Sequence, residues 1–250
     1  MAPDDTIEHP VYKLAALDQE FILGDSMRGA RFMMEYAKAE EFLRRERVRS
    51  TIVAFGSARI REDGGDWQAR IYNGARTFGR IASERGGALC EDGKWRDNVI
   101  TTGGGPGIME AANRGAHDAG AVTIGFNITL PHEQAPNPYI TSQLSFQFHY
   151  FAMRKMHLAM RAQALVIFPG GFGTMDELFE LLTLSQTGKG HHMPVVLYDR
   201  DFWTRIINFE ALAEAGMINP DDLQLFKFAD DPEETWENLL DLGLDVPEVI

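Results

Sequence analysis

A chain of 250 residues, 44% of them hydrophobic, is long enough for one sizeable α/β domain and short for two. Its 24 basic and 37 acidic side chains leave a formal net charge of −13, which argues against a nucleic-acid backbone or an anionic membrane as partner. Cys90 is the one cysteine, so an intramolecular disulfide and a four-thiolate metal site are excluded. The cytoplasm is the expected compartment, because residues 1–12 show no basic stretch leading into an apolar core and no apolar run approaches membrane length.

Residues 1–24 are polar, contain two prolines and read as a flexible arm, with a single α/β domain expected over 25–245. From about 26 to 47, Phe32, Met33, Tyr36, Phe42 and Leu43 recur near helical spacing among charged residues. This predicts an amphipathic helix packed on the domain or on a partner subunit. Strand-like and helix-like runs then alternate. Strands are expected at Thr51 to Phe55, near Ala88 to Cys90, and at Val99 to Thr102, Ala121 to Phe126, Ala164 to Phe168 and Pro194 to Tyr198. Helices are expected at Trp67 to Arg85, Gly107 to Ala119, Phe151 to Arg161, Met175 to Gln186, Trp203 to Ala215 and Pro232 to Leu242. Such an order predicts a Rossmann-like, doubly wound α/β fold: a mostly parallel sheet with helices on both faces. Leu130 to Tyr139 holds three prolines and reads as an ordered loop over a site, with Glu133 and Asn137 as its candidate ligand contacts.

Glycine clusters follow three of the strands: Gly56-Ser57, Gly103-Gly104-Gly105-Pro106-Gly107, and Pro169-Gly170-Gly171-Phe172-Gly173-Thr174. In an open parallel sheet such loops meet beyond the carboxyl ends of the strands. With little side-chain bulk their amides approach a ligand closely, and a following helix aims its positive dipole end at an anion, so a phosphate is the expected guest. Ser57 adds a hydroxyl to the same crevice. The dinucleotide fingerprint is not met, because its third glycine would fall at Ile108, and no lysine precedes Thr174 as a phosphate-loop NTPase requires.

Arg154 and Lys155 lie on the helix entering the Ala164 strand, and Glu177 lies just past the loop that leaves it. These three charges are expected at one hollow, with Glu177 in a first helical turn where the dipole favours its carboxylate form. Seven scattered histidines show no metal-ligand spacing, so no metal and no cofactor is expected. No G-x-S-x-G occurs, which removes the usual signature of a serine hydrolase. Met153, Met156 and Met160, with Phe146, Phe148, Tyr150 and Phe151, read as core or subunit contact, and Cys90 as packing.

Met153-Arg154-Lys155-Met156 and Pro169-Gly-Gly-Phe-Gly-Thr-Met-Asp-Glu177 resemble the signature of the LOG ("Lonely guy") family. The likeness extends from Val53-Ala-Phe-Gly-Ser through Gly103-Gly-Gly-Pro-Gly-Ile-Met and Pro131-His-Glu-Gln to Thr183-Leu-Ser-Gln-Thr-Gly-Lys189 and Pro194-Val-Val-Leu. It implies a phosphoribohydrolase that cuts the N-glycosidic bond of a cytokinin riboside 5'-monophosphate or AMP, releasing base and ribose 5-phosphate. Arg154 and Glu177 are then the catalytic pair. Lys155, Gly170, Gly171, Gly173, Thr174 and Thr183 would line the nucleotide with Ser57, Gly104 and Gly105, and Glu133 would touch the substrate. Pro106 in the first glycine loop departs from the family's commoner form and leaves the identity of the base open. The resemblance also implies a homodimer with the pocket near the subunit boundary, for which Leu144 to Met153 is apolar enough. Many such proteins once carried a lysine decarboxylase label, yet no lysine here sits in a pyridoxal phosphate setting. The alternative is a non-catalytic carrier of the same fold that holds a nucleotide or a molybdenum cofactor.

Overall fold

The apolar runs form seven strands: β1 (Thr51–Phe55), β2 (Val99–Thr102), β3 (Ile124–Ile128), β4 (Ser145–Phe148), β5 (Ala162–Ile167), β6 (Val195–Tyr198) and β7 (Lys227–Ala229). They pair in the order β4-β3-β2-β1-β5-β6-β7, every neighbouring pair parallel. These and all other details come from a computed structural model that describes residues 9–90, 93–130, 135–188 and 193–247. β1 lies at the centre. The chain moves outward through β2, β3 and β4, then returns to the other side of β1 with β5, so the direction of winding reverses between β1 and β5.

Nine α-helices are found among the described residues: α1 (Gln19–Leu23), α2 (Arg28–Arg45), α3 (Asp66–Arg85), α4 (Ile108–Asp118), α5 (Phe151–Met160), α6 (Phe172–Gln186), α7 (Arg200–Ile206), α8 (Phe209–Glu214) and α9 (Pro232–Asp241). The sheet separates two apolar cores. Val53 and Phe55 of β1 face one, with Leu43 of α2, Leu158 of α5, Leu178 of α6 and Trp203 of α7. Ile52 and Ala54 face the other, with Phe78 of α3, Ile108 of α4 and Trp236 of α9. Burial on both faces explains why β1, β2, β5 and β6 read as unbroken apolar or β-branched runs.

Several expected boundaries differ. No strand forms at Ala88 to Cys90, because both sides of β2 are already taken by β1 and β3 and leave no place for it. The third strand begins at Ile124 rather than Ala121. The stretch from Trp203 to Ala215 is two helices, since the Asn208 side chain accepts the Ala211 amide (3.0 Å) and starts a new one. β4 and β7 were not expected as strands; both are short edges, and β4 buries only Phe146 and Phe148. The N-terminus of α9 matches its sequence: Asp231 Oδ1 accepts the amides of Glu233 and Glu234 (2.9 and 3.0 Å).

α2 is joined to α5, the helix that carries Arg154. The Glu35 carboxylate accepts the amides of His149 (2.8 Å) and Tyr150 (3.4 Å), just before α5 begins. Arg31 Nε donates to the Tyr150 hydroxyl (2.9 Å), and its Nη1 reaches the carbonyls of Ile22 and Gly24. Residues 9–24 are thus tied to α2 at Ile22 and Gly24, although Val11, Leu14 and Leu17 remain exposed; residues 1–8 lie outside the described ones. At the far end of α5, Arg161 Nη2 holds Glu40 Oε2 at 3.0 Å, and this hydrogen bond keeps the Glu40 carboxyl below the usual range despite its burial. His157 lies fully buried beside the rings of Tyr36, Phe126 and Phe148, and burial pushes its pKa down, so the neutral ring is core.

Cys90 is half-buried, its thiol donating to the Lys94 carbonyl at 3.7 Å. Among the described residues no group of three His, Cys, Asp or Glu side chains could hold a metal, and no helix is long and apolar enough to cross a membrane. His191 and His192 lie outside them.

Candidate active site

The register sets Phe55 of β1 beside Ile167 of β5, so the two strands end level at the point where the winding reverses. Their loops are then laced together. The Phe168 amide donates to the Phe55 carbonyl (2.8 Å), the Ser57 amide to the Pro169 carbonyl (3.0 Å), and the Ile108 amide to the Ser57 carbonyl (3.1 Å). A cavity of about 600 Å³ opens above them, walled by the β1 loop, by Gly103 and Met109, by Arg154, and by the first turns of α6. This is the crevice where ligands of doubly wound folds bind.

α6 begins at Phe172, three residues earlier than its expected start, with Gly171 as its cap and no side chain capping it. The amides of Phe172, Gly173 and Thr174 belong to a first helical turn, whose N–H groups have no carbonyl four residues back to bond, and all three residues wall the cavity. Together with the helix dipole they suit an anion.

The earlier start moves Glu177 to the sixth position of α6, so the expected dipole effect on its carboxylate does not apply. Burial decides instead. The Glu177 side chain is 4% exposed, and desolvation pushes its carboxyl above the usual range against the attraction of Arg154 and Lys155. Arg154 Nη2 donates to Glu177 Oε1 at 2.9 Å, and the guanidinium, 14% exposed, lies over the Phe151 ring at 5.1 Å. Among the described residues the buried Arg154 Nε has no partner. A buried ion pair whose carboxyl is pushed above its usual range by burial is poor structural cement and suits chemistry.

The first glycine loop is fixed from behind. Gly104 takes a left-handed φ of +75°, and its amide donates to Thr102 Oγ1 at 2.9 Å. Asn137, read from sequence as a ligand contact, is buried. Its amide and side chain donate to the Gly104 carbonyl (2.9 and 3.3 Å), and Nδ2 also reaches the Gly105 carbonyl (3.0 Å) and Asn113 Oδ1 (2.9 Å). It clamps the loop rather than facing the cavity.

Of the residues singled out from sequence, Ser57, Arg154, Gly171, Gly173, Thr174 and Glu177 meet at the cavity. Gly104 and Gly105 lie behind it, and Gly103 takes their place in the wall. Gly170 packs under Thr174, whose Oγ1 would stand 2.1 Å from any Cβ there. Thr183 is further along α6, its hydroxyl donating to the Phe179 carbonyl at 2.7 Å. Lys155 is not in the wall: its ammonium pairs with Asp176 (2.7 Å) and Glu180 (2.8 Å). Burial pulls the Lys155 pKa down, but these carboxylates more than reverse that and leave it raised, which is unlike a lysine that forms a Schiff base. Glu133 lies outside the described residues. Sequence reading missed Arg59 and Met109 in the wall, and Phe172, which is 93% exposed there. Arg59 stands two residues after Ser57 of the Gly56-Ser57 turn, the one local signal for it.

Fold and crevice together define a doubly wound α/β protein with a cavity at its switch point. The family model described as "Possible lysine decarboxylase" matches residues 109–239, and the chain belongs to that family, which includes the LOG proteins. The cytokinin riboside 5'-monophosphate phosphoribohydrolase LOG of Oryza sativa subsp. japonica is 30% identical over 182 residues, covering 71% of this chain and 67% of that protein. The LOG3 phosphoribohydrolase of Arabidopsis thaliana is 29% identical over 127 residues, 49% of this chain and 57% of that protein. The chain spans 60%, 58% and 57% of the length of three curated relatives. An X-ray structure from a structural genomics programme shares the fold at a TM-score of 0.53 and 20% identity, over 77% of this chain and 99% of that one. So does the molybdenum cofactor binding protein of the phototrophic bacterium Rippkaea orientalis, at 0.50 and 20%, over 78% of this chain and 98% of that one.

Proposed function

We propose that the protein hydrolyses the N-glycosidic bond of a purine nucleoside 5'-monophosphate, AMP or a cytokinin riboside 5'-monophosphate, to free base and ribose 5-phosphate. The observation that carries this reading is the buried Arg154 and Glu177 pair, set in the same cavity as the first turn of α6. A dianionic 5'-phosphate on the amides of Phe172, Gly173 and Thr174 would bring the sugar towards Glu177. Resemblance to phosphoribohydrolases supports the same reaction.

Breaking the bond leaves the electron pair on the base nitrogen and positive charge on the ribose. A water oxygen then bonds C1', its proton passes to Glu177, and Glu177 gives up that proton, through solvent, to the base nitrogen, which restores the carboxylate. The Glu177 carboxylate faces the cationic ribose in a site of low polarity, where such stabilisation is strongest. Arg154 orients that carboxylate and supports negative charge on the departing group. The proposed setting is a cytoplasmic homodimer, to which the exposed Phe151 and Met160 are suited.

Purified protein incubated with AMP and other nucleoside monophosphates should release free base, resolved by chromatography. Nucleotide binding with no release in any case would point to the carrier alternative instead. A pH profile checks the role of the carboxylate. The reaction needs Glu177 ionised and burial raises its pKa, so kcat/KM should rise with pH through a limb lying above the roughly 4.3 of an ordinary glutamate. A flat profile across that region would remove Glu177 from the chemistry.

A further inference from the structure

We propose that Arg59 makes this cavity selective for a phosphorylated sugar, closing on the 5'-phosphate opposite the first turn of α6; the inference rests on reading the cavity as a nucleotide site. Three ionisable side chains among the described residues line the cavity: Arg59, Arg154 and Glu177. The last two are joined and cancel. Among the described residues Arg59 is left as the one uncompensated charge, and its sign is positive.

That is unusual for its surroundings. In a chain of net charge −13, arginines near the same loop are matched by acids: Arg61 by Asp63 (2.8 Å), Arg114 by Glu62 (2.7 Å) and Arg76 by Asp118 (2.6 Å). Among the described residues the Arg59 guanidinium has no hydrogen-bond or ion-pair partner. Its backbone, by contrast, is fixed. The Arg59 amide donates to Ser57 Oγ at 3.1 Å, and Ser57 itself is held by Pro169 and Ile108. An anchored backbone with a free guanidinium is an arm waiting for an anion. A phosphate dianion supplies the missing charge and accepts the planar fork bidentately.

Arg154 cannot serve in its place without leaving Glu177 buried and unpaired, a costly state for a charged group. The amide dipoles of α6 amount to about half a positive charge, so they alone do not neutralise a dianion. A nucleoside without phosphate would leave Arg59 idle, which makes it the point of discrimination.

The test is calorimetric titration of ribose 5-phosphate and, separately, of adenine into the parent, Arg59→Ala and Arg59→Lys. The exposed, unpartnered side chain makes the alanine variant safe for folding, checked by its melting temperature. Ribose 5-phosphate should bind Arg59→Ala about 10- to 100-fold more weakly, with Arg59→Lys in between, while adenine binds all three alike. Equal ribose 5-phosphate affinity in parent and Arg59→Ala, no binding by the parent, or an equal loss of adenine affinity would overturn the assignment. Turnover is read apart from this: a parent that binds ribose 5-phosphate through Arg59 but releases no base from AMP ends the hydrolase reading and leaves the role of Arg59 standing.

Discussion

Glu177→Gln is expected to fold as the parent does and to release base from AMP on the order of 10²- to 10³-fold more slowly. Glutamine has nearly the shape of glutamate and keeps a carbonyl oxygen for Arg154 Nη2, so packing within α6 is unaffected. What disappears is the charge that faces the ribose. Stability has two opposing contributions. Burial holds the folded pKa of Glu177 above its unfolded value, so ionising it costs stability as pH rises through that window, and an uncharged side chain removes the cost. Arg154 then lacks a counter-charge, which acts the other way. The two should nearly cancel, leaving stability within about 1 kcal/mol and the melting temperature within roughly 4 °C of the parent. Full activity in a well-folded variant would sink the assignment, and loss of fold with loss of activity would make Glu177 a structural residue.

Gly115→Ala should be the most damaging small change to the fold. Gly115 of α4 faces α3 so closely that a Cβ would stand 1.9 Å from the Arg76 carbonyl oxygen and 2.8 Å from the Arg80 nitrogen. These are backbone atoms and cannot swing aside. Gly79 of α3 makes the reciprocal approach, 2.3 Å from the Ala112 carbonyl oxygen. Alanine gains about 1 kcal/mol in helix propensity. Separating two helices in a packed core costs more, about 3 kcal/mol, so the net loss of about 2 kcal/mol should lower the melting temperature by roughly 4–8 °C. The effect should reach the site, because α4 carries Met109 into the cavity wall, and KM for AMP should rise with the loss of stability. Gly29→Ala is the control: its Cβ would meet nothing within 4 Å, so the exposed helix should be unharmed. Equal melting temperatures for Gly115→Ala and the parent would show that α3 and α4 are not locked at this point.

The buried strands of this fold are visible in the sequence because two apolar cores press on the sheet, giving unbroken runs such as Thr51 to Phe55. Edge strands lack that pressure. Ser145-Phe-Gln-Phe alternates, and Lys227-Phe-Ala is too short to stand out, so neither reads as a strand. The chain also conceals where α6 begins. Gly173 marks a turn when read alone, yet in the first helical turn it is tolerated, and that shift places Glu177 where burial rather than the dipole governs its charge. Arg154 and Glu177, far apart in sequence, could be matched through a known motif. Arg59 could not. Its importance comes from the absence of a partner, which depends on where three loops meet. Asn137 shows the reverse error: a polar residue in a proline-rich loop looked available to a ligand, whereas the Gly104 and Gly105 carbonyls engage it from behind.

The most direct test of the central claim is a crystal structure of the slow Glu177→Gln variant with intact AMP. The account predicts the phosphate within hydrogen-bond distance of the Gly173 and Thr174 amides, and C1' of the ribose against the side chain at position 177. AMP bound with its sugar turned away from that side chain, or seated in a different cavity, would contradict it.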